Sequence, residues 1–153
     1  MAYSANVQGR GWQPVVADGE VVGTTGESLP IEHFRVFVGG MPGVSVRYKA
    51  WPDDFTDPVA DGQVIGRTAG ALAVSIWLEG APGDTGICYE THVAEQGWQP
   101  EVCDGEWAFD HFLPFLPIEA LRIRLYGQPG TAAMSIPPTG MPYNARKAGE
   151  EPG

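Results

Sequence analysis

The chain has 153 residues, including 21 glycines and 14 prolines, and carries a formal net charge of −10. A protein this acidic repels polyphosphates and anionic lipid surfaces, so we expect neither nucleic acid nor a membrane as its partner. The turn-forming residues, together with five Trp, five Tyr and six Phe, favour short strands joined by tight turns and predict an all-β fold.

The chain starts with "MAYSANVQGRGW", which lacks the basic stretch and apolar run of a secretory signal peptide. No later stretch approaches the roughly 20 apolar residues that a membrane-spanning helix needs. We therefore expect neither a signal peptide in this sequence nor insertion into a membrane.

A pattern with a period of 43 residues runs along the chain. It consists of an Asp-Gly pair, an aromatic residue six positions before the Asp, and a tyrosine further upstream. Because Asp-Gly between β-rich stretches is typical of a type I′ hairpin, each period predicts one such turn. The positions are Asp18, Asp61 and Asp104 for the turn, Trp12, Phe55 and Trp98 for the ring, and Tyr3, Tyr48 and Tyr89 for the tyrosine.

The period divides the chain into three segments, which we call segment 1 (about 1–43), segment 2 (44–83) and segment 3 (84–130), with four predicted strands each. Segments this short bury their apolar faces by packing on one another, which predicts one pseudo-threefold closed domain over 1–136. The repeat length favours a β-trefoil, and a three-sheet β-prism is the alternative. We expect 131–136 to complete segment 1 as a closing strand, and 137–153 to form a flexible tail.

Cys88 and Cys103 fall on neighbouring predicted strands, where they form either a disulfide or two free thiols, and we favour free thiols packed as small hydrophobes. His33, His92 and His111 lack the spacing of a zinc site, so no metal or other cofactor is expected. The sequence also lacks a G-x-S-x-G motif, a phosphate-binding loop and any carboxylate pair whose spacing would bring two acids together. We therefore predict a protein that is not an enzyme.

The stretch "VQGRGWQPVVADGEVVGTTGESLPIEHFRVFV" resembles the clostridial hydrophobic W (ChW) repeat, and so do "YETHVAEQGWQPEVCDGE" and "LPIEALRIRL" in segment 3. The resemblance spans about residues 3 to 130. Segment 2 lacks the Gly-Trp-Gln motif and the Ile-Glu step, and segment 3 has "WAFDHFLPF" where segment 1 has "VVGTTGES". A site built from these elements is therefore expected to be intact at most in segment 1. The family resemblance implies a secreted or surface-attached protein that serves adhesion or glycan binding.

The aromatic positions are the first candidates for such a site. Trp12 and Trp98 are either platforms on which a sugar ring stacks or rings of the core. The adjacent glutamines offer amides to sugar hydroxyls, and the Asp residues either form turns or bind hydroxyls. The candidate residues are Asn6, Trp12, Gln13, Asp18, Thr24, Thr25, His92, Trp98, Gln99 and Asp104.

Two functions follow as hypotheses. The first is a lectin-like, non-catalytic module that binds glycans or cell-surface polysaccharide weakly and at several sites, in an extracellular or cell-surface location. The alternative is a protein-interaction, adhesion or scaffold module, including a loop-presenting inhibitor. The aromatic stretch 107–115 would contact the partner there, since aromatic side chains are enriched at interfaces.

Overall fold

The computed structural model describes residues 1–52, 58–66, 70–109 and 116–127, and these residues contain fourteen strands and no helix. The all-β prediction is confirmed. Segments 1 and 3 have five strands rather than the expected four, because the arm before each Asp-Gly turn contributes two short strands. The strands are β1 (Ala2–Val7), β2 (Gly11–Trp12), β3 (Val16–Ala17), β4 (Val21–Gly23), β5 (Ile31–Phe37), β6 (Ser45–Trp51), β7 (Val59–Ala60), β8 (Ile65–Gly66), β9 (Ala73–Glu79), β10 (Gly86–Val93), β11 (Gly97–Trp98), β12 (Val102–Cys103), β13 (Ala108–Phe109) and β14 (Ile118–Tyr126).

Three antiparallel sheets are built on three pairs of long strands, β1 with β5, β6 with β9 and β10 with β14. Side chains alternate between the two faces of a strand, so each long strand turns one row of residues inward. In β1 the inward row is Tyr3, Ala5 and Val7, all of which are buried. The inner faces of the three sheets meet in one hydrophobic core.

Each sheet also takes one short strand from another segment. β4 of segment 1 pairs with β14 of segment 3, β8 of segment 2 pairs with β5 of segment 1, and β13 of segment 3 pairs with β9 of segment 2. Backbone hydrogen bonds therefore link the three segments in a cycle. The strands on either side of each Asp-Gly turn pair with other strands rather than with each other, so the prediction of a hairpin at each turn is wrong. Among the described strands no sheet closes into a barrel, and the favoured trefoil is not confirmed.

The three repeated tyrosines reinforce these links from inside the core. The hydroxyls of Tyr3, Tyr48 and Tyr89 donate to backbone carbonyls just after the Asp-Gly turns and accept hydrogen bonds from amides of another segment. Burial raises the pKa of Tyr48 and of Tyr89 to about 12, and raises that of Tyr3 as well. The amides that donate to the three hydroxyls, in the order Tyr3, Tyr48 and Tyr89, are those of Ile123 at 3.0 Å, Val36 at 3.1 Å and Ile76 at 3.1 Å.

Cys88 and Cys103 form a disulfide, with an S–S distance of 2.06 Å. The two residues lie directly opposite each other on β10 and β12, so their side chains leave the sheet on the same face. The expectation of two free thiols is therefore wrong. The separation of fifteen residues in the sequence does not show which residues of two neighbouring strands lie opposite each other.

Several expectations fall outside the described residues. They concern the ring of Phe55, His111, the closing strand 131–136 and the tail 137–153, together with positions 110–115 of the aromatic stretch. Within the described ranges, no helix has the length and hydropathy that crossing a membrane requires.

Candidate functional site

The outer face of the first sheet carries an exposed tryptophan. Trp12 lies opposite Asn6 on the neighbouring strand, and Asn6 lies opposite His33 on the next one. Because directly paired residues share a face, these side chains form a row across the outside of the sheet. Trp12 is 43% exposed, so its interpretation as a core ring is wrong. Its strand β2 lies at the sheet edge and places the ring on the face away from the core.

An arginine accompanies this tryptophan. The guanidinium carbon of Arg35 lies 5.1 Å from the centre of the Trp12 ring, a distance typical of a cation–π contact. Arg35 Nε also donates to Ser4 Oγ at 3.2 Å. The first sheet thus presents an indole, an amide, an imidazole and a guanidinium on one outer face, which we call the Trp12 face.

The third sheet repeats this arrangement with different neighbours. Trp98 lies opposite His92, and their rings meet edge to face with centres 5.1 Å apart. The guanidinium of Arg122 lies 4.4 Å from the centre of the Trp98 ring and forms an ion pair with Glu90 at 2.6 Å. We call this surface the Trp98 face. Trp98 is half-buried, so it is less available to a ligand than Trp12.

A buried carboxylate connects the Trp98 face to segment 1. Glu119 is only 1% exposed, and its Oε2 lies 2.7 Å from Nδ1 of His92. Its two oxygens also accept hydrogen bonds from the amides of Gly26 at 3.1 Å and Ser28 at 2.9 Å. Glu119 therefore contacts the imidazole beside Trp98 and holds the loop that follows β4 by hydrogen bonds.

This loop carries the predicted residues Thr24 and Thr25. The amide of Thr24 donates to the backbone carbonyl of Glu119 at 3.0 Å, and its hydroxyl is buried with no hydrogen-bond partner among the described residues. Thr25 is exposed. The start of this loop lies against segment 3, because β4 pairs with β14. The expectation that a site is intact at most in segment 1 stays a prediction.

The remaining candidates have structural contacts. The side-chain amides of Gln13 and Gln99 donate to the carbonyls two residues earlier, at 3.3 and 3.2 Å, and Gln99 is only 8% exposed. The Asp18 carboxylate accepts a hydrogen bond from the amide of Leu125 at 2.7 Å, and burial raises the pKa of Asp18. Asp104 accepts the amide of Ile87 at 3.0 Å and the hydroxyl of Tyr126 at 2.6 Å. Both Asp residues lie at the end of the long strand away from the Trp rings, which favours their role in turns.

The second sheet has an apolar surface in the corresponding place. A cavity of about 260 Å³ opens there. Trp51 occupies the position that Asn6 and His92 hold in the other sheets, and Leu72 the position of Glu119. The cavity is lined by Trp51, Leu72, Ala73, Trp107 and Phe109.

Sequence reasoning missed Arg35, Arg122 and Glu119. A signal for the arginines was present in the sequence. The two segments that have a Trp six residues before the Asp-Gly pair also have an Arg four residues after the Ile of Ile-Glu, in "IEHFR" and "IEALR". Segment 2 has Phe55 and Ser75 at these two positions, so the Trp and the Arg change together. No such signal exists for the burial of Glu119, which depends on a loop more than 90 positions away in the chain.

The described residues also bring Cys88, Cys103 and Glu101 within 4.8 Å of one another. The two sulfurs are bonded to each other, and Glu101 binds Arg124 through two hydrogen bonds of 2.8 Å, which lower the pKa of Glu101. This cluster therefore offers no free set of metal ligands.

Comparison with known proteins supports the resemblance in segment 1. Residues 6–37 match the family model described as ChW, Clostridial hydrophobic W. The matched range contains Trp12, His33 and Arg35 of the Trp12 face, as well as the loop after β4. No curated protein and no solved structure matches the chain.

Proposed function

We propose that this chain, whose residues 6–37 are identified with the clostridial hydrophobic W family, is a non-catalytic carbohydrate-binding module. The Trp12 face is its principal site. The observation that carries this proposal is the 43% exposure of Trp12 beside three polar side chains on one face of a sheet.

The chemistry of this face suits a sugar. A pyranose ring has C–H groups that pack against an aromatic surface and hydroxyls around its rim that need hydrogen-bond partners. Trp12 supplies the aromatic surface, while Asn6 and His33 in the same row and Arg35 over the ring supply donors and acceptors. The strands beneath hold these groups in place, which lowers the entropic cost of binding.

The Trp98 face is a second site of the same kind. A single shallow site of this type binds with a Kd around millimolar, and two sites on one molecule raise the avidity for a polymeric glycan. Among the described residues, the second sheet has apolar side chains around Trp51 and Trp107, and Ser75 stands where the other two sheets have an arginine. We therefore propose two sugar sites rather than three.

The proposed architecture is a pseudo-threefold arrangement, and we favour the three-sheet prism over the trefoil. The cyclic exchange of β4, β8 and β13 supports this choice, as do the equivalent tyrosine contacts in the three segments. An outward face on each of three sheets would place the Trp12 and Trp98 faces on different sides of the molecule.

We also propose an extracellular or cell-surface location, where the glycan partner is found. The Cys88–Cys103 disulfide supports this location, because disulfides persist in oxidising compartments. The net charge of −10 continues to disfavour nucleic acid as a partner.

Replacing Trp12 by alanine should weaken binding of a glycan hit from an array by about tenfold, because the stacking surface is lost. Isothermal titration measures this change, and circular dichroism should show an unchanged fold, since the ring lies on an exposed edge strand. Trp107→Ala is the matched control, as it removes another exposed indole from the second sheet. Equal losses in the two variants, or the absence of any hit on a broad array, would contradict the proposal.

A second candidate function is protein interaction through the second sheet. The apolar cavity and the 37% exposure of Trp107 favour it, because exposed aromatic surface is typical of interface cores. This function predicts that the indole signals of Trp51 and Trp107 shift with protein concentration or with an added protein partner, in the absence of sugar.

A further inference from the structure

We infer that the Trp12 face selects a sugar bearing a carboxylate, of the uronic acid class, whereas the Trp98 face takes a neutral sugar. This inference rests on the proposed carbohydrate binding and assigns a ligand class to each site. The difference between the faces lies in what neutralises the arginine beside each tryptophan.

On the Trp98 face the arginine already has a carboxylate. Glu90 lies opposite Arg122 on the neighbouring strand, and it accepts from Nε at 2.8 Å and from the terminal amino group at 2.6 Å. Both of these contacts are with Oε1 of Glu90, so one carboxylate oxygen accepts from two donors of the guanidinium. Arg122 is therefore electrically paired before any ligand arrives.

On the Trp12 face the corresponding position is a serine. Ser4 lies opposite Arg35 and accepts a single hydrogen bond from Nε at 3.2 Å. No carboxylate of the described residues lies within 4.0 Å of the Arg35 guanidinium. The two terminal amino groups of Arg35 thus remain available for a carboxylate that a ligand brings.

The residue two positions before each arginine also differs between the Trp12 face and the Trp98 face. His33 is two positions before Arg35 on β5 and on the same outer face, whereas the third sheet has Ala120 in this place. His33 therefore adds a hydrogen-bonding group on the strand of the arginine, whereas the imidazole of the Trp98 face, His92, lies on the neighbouring strand against Glu119. A pyranose packed on Trp12 would have its carboxylate close to Arg35 and His33 together.

The overall charge of the protein argues against a merely non-specific attraction. With a net charge of −10, the chain as a whole repels an anionic glycan. Binding of an acidic sugar therefore requires a local cationic site, and its affinity should fall as salt is added because the contact is partly exposed.

The test compares tetragalacturonic acid with its fully methyl-esterified form, which has the same sugar rings without the charges. The acid should bind the native protein about tenfold more tightly than the ester in isothermal titration. Arg35→Gln should abolish this preference, because the acid should then bind no more tightly than the ester. Arg124→Gln is the matched control, since it removes the same charge from a residue that pairs with Glu101 on the third sheet.

A reciprocal variant tests the argument at the other face. Glu90→Gln removes the carboxylate that pairs with Arg122 and should create a second site for the acid, again with about tenfold preference over the ester. Equal binding of acid and ester by the native protein would overturn the inference and leave the proposed function standing. An equal effect of Arg35→Gln and Arg124→Gln would also overturn it. Failure to bind the acid, the ester and every neutral glycan would overturn the inference and the proposed function together.

Discussion

The protein is expected to unfold between pH 10 and pH 12, as the three buried tyrosines of the core lose their protons. Tyr48 and Tyr89 have pKa values of about 12 in the folded state, against an ordinary value of 10.0, because burial disfavours the charged phenolate. The pKa of Tyr3 is raised for the same reason. In the unfolded chain Tyr48 and Tyr89 therefore ionise about two pH units earlier than in the fold.

The sign of the effect follows from this difference. The stabilisation is fully present below the unfolded pKa of 10.0 and is lost as the pH rises through the folded value of about 12. Each two-unit shift corresponds to about 2.7 kcal/mol, so Tyr48 and Tyr89 together account for about 5 kcal/mol. A loss of this size is comparable to the whole stability of many small domains.

Tyrosinate absorbance and circular dichroism, recorded on the same samples, check this prediction. The buried phenols should ionise together with the loss of β structure. Tyr126→Phe should leave the transition unchanged, because Tyr126 is outside the core and bonds Asp104 at the surface. Retention of the fold after every tyrosine has ionised would contradict the assigned role of the three hydroxyls.

Replacing Gly23 by alanine is expected to lower the free energy of unfolding by about 2–5 kcal/mol. Gly23 has a φ of +98°, and a Cβ there would lie 2.4 Å from the carbonyl oxygen of Glu119 and 2.9 Å from the Cα of Ala120. Both contacts are with backbone, which cannot move without separating β4 from β14. The link between segments 1 and 3 should therefore open, and hydrogen exchange should report it at the amides of β14.

Gly26 supplies the matched control. It lies in the loop that follows β4 and has a φ of +78°, but a Cβ there would meet nothing within 4 Å. Gly26→Ala should cost only the backbone strain of about 1–2 kcal/mol. Equal destabilisation by the two substitutions in chemical denaturation would show that the close approach of β4 to β14 is not important.

Much of the fold could be predicted from local sequence. The Asp-Gly pairs predicted the turns, and the regular placement of Tyr3, Tyr48 and Tyr89 predicted three equivalent strands. These signals are local because a turn or an alternating strand is determined by neighbouring residues. The pairing of β4 with β14 could not be predicted in this way, because the residues around Gly23 do not indicate with which distant strand β4 pairs.

The candidate site was predicted only in part. Trp12, Asn6, Trp98 and His92 lie on outer faces as a ligand site requires, but the two-residue strands that carry the tryptophans are too short for alternation to reveal their direction. The Asp residues were harder to assign, because the same Asp-Gly pair serves a turn and offers a carboxylate. Arg35 became a candidate only when the sheet placed it on the same outer face as Trp12, with β1 between their two strands.

Nuclear magnetic resonance of the indole N–H signals during titration with a glycan hit tests the central claim most directly, since the chain has five tryptophans that can be assigned one by one. The account predicts a saturable shift of Trp12, with Trp98 as the second responder and with Trp51, Trp77 and Trp107 unchanged. A Trp12 signal that does not move although the glycan binds would contradict the account. Shifts of Trp51 and Trp107 in place of Trp12 would contradict it as well.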